Sequence, residues 1–406
     1  MEIATPADIV VTGAPASGVR RAAALMLLAG LSSASLACAP ALASQLSREF
    51  GFDAARVGFF FSAEFAGFVI SGLAGQWLMP RFPWRRIAFF SLVGFLAGTI
   101  LTAFVLHSLT ALLFVRALTA SCGAMIGVVC MASANEEVNS SRAFGFYIIG
   151  QLAVGVAGLA VLPMLFERFG FISYLVVVAV LLMLAARMTA WLASGKRVPE
   201  LASTGAAGRH ASDFRRLLRF PVLLLFYIAL GGIWTFVGDL AGRAALDPVL
   251  AGKILSAATV AGIVGAGVAS LAKPDADTRI PVIVGYFLLV ASALTFLDTG
   301  QVVAFVLAVV AFKFAWTYVL PFILAIIGEL DEDGRIIAEI YLVAGLGLML
   351  GPSIAGQLVS SSAGYPGMLL AETAMVVVSG ISIWVLRRMI AGSKVSASPE
   401  SSKVSA

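Results

Sequence analysis

The sequence predicts an all-α membrane protein of twelve transmembrane helices, arranged as two pseudo-symmetric six-helix bundles. Composition indicates this fold class first: 60% of the 406 residues are hydrophobic, only 12% are charged, and the mean hydropathy is +1.00. Ordinary globular domains are about 45–50% apolar and about 25% charged. Lipid is therefore the main solvent of this chain.

The apolar residues fall into twelve runs, most of them about 19 to 25 residues long, as a hydrocarbon core roughly 30 Å thick requires of a helix. The runs, numbered here as crossings 1 to 12, begin near Arg20, Val57, Ile87, Leu109, Ala143, Phe171, Pro221, Leu250, Ile280, Val302, Ile336 and Gly367. A polar stretch rich in Ser, Gly, Ala and basic residues separates the sixth run from the seventh and is typical of a flexible linker. The predicted domains are a tail at 1–19, a bundle at 20–193, a linker at 194–219, a second bundle at 220–390 and a tail at 391–406.

The basic residues predict the orientation in the membrane. With a cytoplasmic N-terminus, 20 of the 27 lysines and arginines lie on the cytoplasmic side and five on the other, and Arg116 and Lys313 lie inside crossings. This distribution satisfies the positive-inside rule, so both termini and the linker are predicted to be cytoplasmic. Positive charge spread over short loops also argues against a nucleic-acid partner. Short loops favour a bacterial inner (plasma) membrane.

Catalytic and metal-binding patterns are absent from the sequence. Its three cysteines, Cys38, Cys122 and Cys130, lie within apolar runs, and its two histidines lie in or near loops. Neither a His-Glu-x-x-His nor a Gly-x-Ser-x-Gly pattern occurs. We therefore expect no enzyme, no cofactor and no metal.

The first run has features of a cleavable signal peptide, because an arginine pair precedes it and Ala41-Leu42-Ala43, which fits a small-residue cleavage site, ends it. We favour a retained helix, since cleavage would leave five helices facing six. Ser32, Ser33 and Ser35 also fit a helix that lines a polar cavity.

Two six-helix halves joined by a long basic linker resemble the major facilitator superfamily over nearly the whole chain. The connection between crossings 2 and 3 keeps the sequence Gly72-Leu73-Ala74-Gly75 and the pair Arg85-Arg86, but Met79-Pro80 stands where the family has an aspartate that latches one conformation. Crossing 4 keeps the family's arginine as Arg116, with Ala120 in place of a glycine and Gly123 after it. The resemblance implies a transporter that moves a small solute by alternating access. We expect it to work as a monomer.

Two further segments bear on the kind of transporter. The family's antiporters carry a Gly-Pro pair in crossing 5, whereas this chain has three spaced glycines and a displaced Pro163, which argues against a drug/proton antiporter. Crossing 11 reads Gly347-Leu348-Met349-Leu350-Gly351-Pro352-Ser353-Ile354-Ala355-Gly356 and resembles that motif transplanted to the second half.

Small residues recur at four-residue spacing on three crossings, which places each set on one helix face. These stripes are Ala63, Gly67, Ser71 and Gly75 on crossing 2; Ala258, Gly262, Ala266 and Ser270 on crossing 8; and Gly347, Gly351 and Ala355 on crossing 11. In the family, crossings 2 and 11, and 5 and 8, meet between the halves, so we expect the stripes and Pro352 at a moving interface. The alternative is ordinary packing between any two membrane helices.

Three ionisable residues lie deep in predicted crossings, where each costs about 2.5–3.5 kcal/mol on the insertion scale. Glu64 and Arg116 lie roughly 12 Å and roughly 10 Å from the outer side, so their depths match and predict a pair with either a structural or a functional role. Lys313 lies roughly 18 Å into crossing 10, near the midplane. It leaves one positive charge to be neutralised by Asp239 or by substrate. Glu372 is less favoured, because the family places crossing 12 at the periphery.

These charges favour an organic carboxylate anion as substrate. The candidate binding residues are Arg116, Lys313, Trp316, Tyr227 and Trp234, and the candidates for proton coupling are Glu64 and Asp239. A carboxylate that displaced Glu64 from Arg116 would remove the counter-charge of Glu64, which would then take up a proton. Anion and proton would move in the same direction, as in symport.

Alternatives stay open at this point. Proton-driven efflux of drugs or metabolites is one, because Arg116 and the Gly-Pro pair of crossing 11 resemble features of exporters. Lys313 could equally snorkel or pair with Asp239. A channel, an intramembrane enzyme or a sensor is less favoured, since the chain has charged midplane groups, no catalytic motif and no soluble signalling domain.

Overall fold

The computed structural model describes residues 15–137, 139–195, 213–272, 277–298, 300–328 and 336–396. Within these ranges the regular structure is entirely helical. The helices are α1 (Pro15–Ser32), α2 (Ala34–Ala37), α3 (Ala39–Phe50), α4 (Ala54–Leu78), α5 (Trp84–Val105), α6 (Leu109–Asn135), α7 (Ser140–Phe169), α8 (Ile172–Ala185), α9 (Asp213–Arg243), α10 (Pro248–Ser270), α11 (Arg279–Thr295), α12 (Val302–Gly328), α13 (Ile336–Ser360) and α14 (Gly364–Ser396). A six-residue 3-10 helix, Ala186–Trp191, continues α8.

Ten helices in the described ranges are long and apolar enough to cross a membrane, and α11 is a shorter apolar helix of 17 residues. Large apolar side chains are exposed along their outer faces, for example Phe90, Phe104, Phe287 and Val303. An apolar surface of this extent needs lipid around it. The chain is therefore an integral membrane protein. Most of the predicted linker, the first 14 residues and the last ten lie outside the described residues.

The first predicted crossing is a broken helix. It divides into α1, α2 and α3 at Ser33 and Cys38, whose ψ angles of 5° and 9° depart from helical values. Pro40 in the first turn of α3 has no amide hydrogen, so the Leu36 carbonyl does not accept the regular helical bond from the residue four positions later. This carbonyl therefore keeps capacity to accept a hydrogen bond from another helix.

We call α1–α8, which precede the predicted linker, the N-terminal half, and α9–α14, which follow it, the C-terminal half. Within the N-terminal half, α1–α8, the extensive contacts are α4 with α6, α5 with α6 and α1 with α7. Within the C-terminal half, α9–α14, they are α9 with α13 and α14, and α12 with α10 and α11. The halves meet where α4 packs on α13, α7 on α10 and α3 on α9.

Ion pairs at the predicted cytoplasmic side connect segments of the same half. Arg21 contacts Glu137 at 3.0 Å in the N-terminal half, and Arg387 on α14 contacts Asp277 beside α11 in the C-terminal half. The Arg279 backbone N–H and the Arg387 guanidinium hold the pKa of the exposed Asp277 carboxyl below its ordinary value. Each of these two ion pairs lies within one half.

Candidate substrate and coupling site

Glu64 and Arg116 form a buried ion pair between α4 and α6, as their matching depths indicated. Arg116 Nε and Nη2 both contact Glu64 Oε1, and the two side chains are 2% and 3% exposed. Arg116 Nη1 donates to Thr102 Oγ1 at 3.4 Å, and its guanidinium lies 5.9 Å from the centre of the Phe60 ring. In this conformation, the two charges therefore compensate each other away from water.

The space beside this pair is small. A cavity of about 10 Å³, room for about one water molecule, adjoins Glu64 and is also lined by Ser32 and Ser35 from α1 and α2. Ser35 hydrogen-bonds to the Tyr174 hydroxyl at 2.9 Å, whereas Ser33 donates to carbonyls of α1. A substrate could reach Arg116 only after these helices move.

Lys313 lies between two indole rings. Its Nζ is 3.6 Å from the centre of the Trp234 ring and 4.5 Å from that of Trp316, and the residue is 8% exposed. Among the described residues it forms no ion pair. Each cation–π contact contributes about 0.5–2 kcal/mol, whereas burying an ammonium costs several kcal/mol. The two rings thus compensate the charge only in part.

Trp234 also joins the two halves. Its Nε1–H donates to the Leu36 carbonyl at 2.9 Å, the acceptor that lacks the regular helical bond from position 40 because that residue is proline. The side chain that holds Lys313 is therefore anchored to α2 of the other half. The sequence indicated apolar surface at Trp234 but not this hydrogen bond, for which the proline at position 40 was the available signal.

Asp239 has partners other than Lys313. It accepts hydrogen bonds from Ser44 on α3 at 2.9 Å and from Tyr365 on α14 at 3.4 Å. It lines a vestibule of about 490 Å³ at the predicted outer side, to which Arg48, Arg243 and Glu167 also contribute. In this structure Lys313 therefore neither snorkels nor pairs with Asp239, the two structural alternatives considered from the sequence.

Tyr227 occupies a different level of the bundle. It lies seven residues, roughly 10 Å, before Trp234 on the same face of α9. It packs on Phe226 and on the α13 backbone at Gly347, and it lies near Tyr341. Of the three aromatic candidates, the structure thus brings Trp234 and Trp316 to Lys313 and leaves Tyr227 toward the predicted cytoplasmic side.

The predicted small-residue stripes pack inside the halves, which differs from the expectation that they face the moving interface. Gly67 and Ser71 lie against Ala120 and Ser121 of α6, and Gly75 lies beside Val128 of the same helix. Gly262 packs on α12 at Lys313 and Thr317, and Gly347 and Gly351 pack on α9 at Tyr227 and Ile228. Small residues permit close backbone approach, but their spacing does not reveal which neighbouring helix approaches.

Other glycines make the close contacts between the halves. The Pro352 carbonyl lies against Gly58 of α4, and Gly356 lies against Ala54 and Gly58. A Cβ added at Gly345 would come within 3.2 Å of Val69. Pro352 is thus the predicted interface residue that the structure brings to the contact between α4 and α13.

The basic cluster after crossing 2 contacts its own half. Arg85 Nε donates to the Leu192 carbonyl at 2.7 Å, joining α5 to the end of the 3-10 helix. Arg81 stacks on Trp77, 4.7 Å from the ring centre. Neither contact reaches the C-terminal half.

Glu372 is a buried carboxyl that sequence reasoning set aside. It is 0% exposed, lies against Gly232 of α9, and neither oxygen has a hydrogen-bond partner among the described residues. The expectation that α14 is peripheral did not anticipate that one face of this helix packs on α9. A polar residue two turns away on either side, Tyr365 and Ser379, was the available signal.

Apolar helices that enclose ionisable side chains, with polar contacts both within and between two sets of helices, are typical of membrane transport proteins. Residues 25–332 match the Major Facilitator Superfamily. The chain belongs to that superfamily, and it is a transporter rather than an enzyme.

Solved structures show the same fold at low sequence identity. A mutant of the nucleoside transporter NupG aligns with a TM-score of 0.73 and 14% identity, over 91% of this chain and 99% of that one. A bacterial homologue of the human lysosomal transporter Spinster, in an inward-facing and unoccupied conformation, aligns with a TM-score of 0.68 and 14% identity, over 93% and 98%. A D-xylose-proton symporter aligns with a TM-score of 0.68 and 12% identity, over 90% and 96%. Among curated proteins, no significant match is found.

Proposed function

We propose that this protein is a secondary active transporter that carries a small organic carboxylate anion together with a proton by alternating access. The observation that carries this proposal is Lys313, a buried cation held by two indole rings, with no carboxylate partner among the described residues. An anionic substrate would supply the missing counter-charge. Its apolar part would lie against the rings of Trp234 and Trp316.

Arg116 would bind the anion at a later step. In this conformation Glu64 is bound to the Arg116 guanidinium. A substrate carboxylate would therefore have to displace the Glu64 carboxylate. The released Glu64 would lie in a low-dielectric site without a counter-charge, and uptake of a proton would restore neutrality. Proton symport occurs on this fold in the D-xylose-proton symporter.

The proposed topology has twelve crossings in two halves with both termini in the cytoplasm. Together α1, α2 and α3 form one broken crossing, and α8 with its 3-10 extension forms another. We also propose that the protein lies in the plasma membrane of a bacterium and works as a monomer.

The orientation can be tested with single cysteines. Cysteines at Ser203 and Ser402 should react with impermeant maleimide only after permeabilisation, whereas Ser108→Cys and Ser361→Cys should react from outside. The reverse pattern would overturn the orientation.

The transport proposal is tested by counterflow in proteoliposomes with a panel of labelled carboxylates and cationic dyes. We expect exchange of at least one carboxylate, and its accumulation when an inward proton gradient is imposed. Lys253→Gln, which removes an exposed lysine on α10, is the matched control for Lys313→Gln. Exchange of dyes in place of carboxylates would instead establish the efflux alternative.

A further inference from the structure

Three polar residues of α14 form a seam against α9. Tyr365, Glu372 and Ser379 are seven residues apart, so they share one helix face. The Tyr365 hydroxyl donates to Asp239 at 3.4 Å, and Ser379 Oγ donates to the Val222 carbonyl at 2.7 Å. Glu372 lies between these two contacts, opposite Gly232, and is the member of the seam whose oxygens have no partner among the described residues.

The space for the Glu372 carboxyl is made by small residues. A Cβ at Gly232 would overlap Glu372 Oε1 and would lie 3.1 Å from the Ala355 Cβ of α13. An ionised carboxylate in such a site, without a hydrogen bond or a cation, is far less stable than a protonated one. The carboxyl is therefore protonated in this conformation.

The other titratable groups facing α14 lie at other levels or on other faces. On α9, Asp239 pairs with Tyr365 and Ser44, about two turns away; on α11, Tyr286 bonds to Ser379 at 2.8 Å, about two turns the other way. On α12, Lys313 approaches α9 at Trp234. Trp234 lies about 200° around the α9 axis from Gly232, the residue opposite Glu372. On α13, Tyr341 lies toward the predicted cytoplasmic end, near Tyr147 and Tyr227.

We propose that Glu372 is a proton-binding site of the transport cycle, loaded from the outer vestibule by way of Asp239. A proton taken up by the Asp239 carboxylate would pass to an ionised Glu372, leaving Asp239 ionised and Glu372 protonated. Tyr365, which bonds to Asp239, is seven residues from Glu372, roughly 10 Å along α14, so the transfer needs water in the seam or a shift of its helices.

Movement of α13 would control this transfer. Ala355 lies beside Gly232 on the Glu372 side of α13, whereas Pro352 and Gly356 contact α4 of the other half. Separation of α4 from α13 would therefore alter the packing around Glu372 and admit water. The coupling part of this inference rests on the proposed transport function; the protonation of Glu372 does not.

The test uses purified full-length protein in nanodiscs and in proteoliposomes. Infrared spectra recorded over a pH series should show the C=O stretch of a protonated carboxyl in the wild type and in Glu167→Gln, which removes a vestibule carboxylate outside the seam, and should lose it in Glu372→Gln. In liposomes, Glu372→Gln should retain counterflow but lose at least about tenfold in gradient-driven accumulation. Asp239→Asn should slow accumulation without removing the infrared band.

Unchanged spectra or unchanged accumulation in Glu372→Gln would overturn the proposal. If that variant does not fold, carbodiimide labelling of the wild type replaces it, because carbodiimides react with protonated carboxyls in apolar surroundings. Mass spectrometry should then find Glu372 modified faster as the pH falls, and modification of other carboxyls alone would contradict the assignment. Wild-type protein that exchanges no carboxylate would refute the transport proposal and leave the infrared result standing.

Discussion

The indole N–H of Trp234 donates to the Leu36 carbonyl at 2.9 Å, and this bond joins the two halves directly beside Lys313. The acceptor is available because Pro40 cannot supply the intrahelical donor. Pro40 thus leaves this carbonyl able to accept a bond from the other half beside the buried lysine. This arrangement couples the environment of Lys313 to the relative position of α2 and α9.

Trp234→Phe should favour separation of the halves at the outer side. The ring over Lys313 is kept, but a hydrogen bond contributing about 0.5–1.5 kcal/mol is lost, so the open population should rise roughly two- to tenfold. Electron–electron distance measurements between spin labels at Ser108→Cys and Ser361→Cys, in a background without native cysteines, would detect the change. Identical distance distributions would show that this bond does not bias the equilibrium.

Lys313→Gln should abolish carboxylate binding, because it removes the charge that the substrate is proposed to neutralise. Loss of one member of a buried charge pair costs about 2–5 kcal/mol, so affinity should fall at least about 30-fold. Lys313→Arg should retain part of the affinity, and Lys253→Gln should bind as the wild type does. Counterflow with the same labelled carboxylate measures all three. Wild-type affinity in Lys313→Gln would remove this residue from the binding site.

Glu64→Gln should destabilise the protein strongly, because it leaves the Arg116 charge buried without its partner. Breaking such a pair costs about 3–5 kcal/mol, whereas replacing both members is often neutral. The double variant Glu64→Gln with Arg116→Met should therefore recover much of the thermal stability in detergent. If this stable double variant also regained proton-dependent uptake, the pair would have a purely structural role.

Gly58→Ala should impair transport more than stability, because its new methyl group would meet the Pro352 carbonyl of the other half. Gly67→Ala should impair stability more than transport, since its methyl group would meet the Ala120 backbone inside the N-terminal half. Uptake rates and thermal unfolding of the two variants provide the comparison. Equal loss of stability in both would contradict the assignment of Gly58 to a moving contact.

Much of the architecture follows from local sequence. Membrane helices satisfy their backbone hydrogen bonds internally, so the length of each apolar run determines where a crossing can lie. The ten long apolar helices that the structure describes fall on predicted runs. Pairing of Glu64 with Arg116 was foreseeable for a similar reason, since depth along a helix can be counted and unpaired buried charge is costly.

Counting residues along apolar runs does not predict the shape of the first crossing. Its apolar run predicts one helix, and the breaks at Ser33 and Cys38 are absent from the hydropathy pattern. Only the fold reveals that the carbonyl freed by Pro40 faces Trp234 of the other half.

By itself, the sequence determined the membrane class, the superfamily and the positions of Glu64, Arg116 and Lys313 along their helices, because hydropathy and charge are properties of residues in order along the chain. The tertiary structure decided which helix faces meet. It placed the stripe of Gly67 inside one half, Gly58 between the halves, and Glu372 opposite Gly232. The physical reason is that lipid and protein are both apolar surroundings for a membrane helix, so composition does not distinguish a lipid-facing side from a packed one.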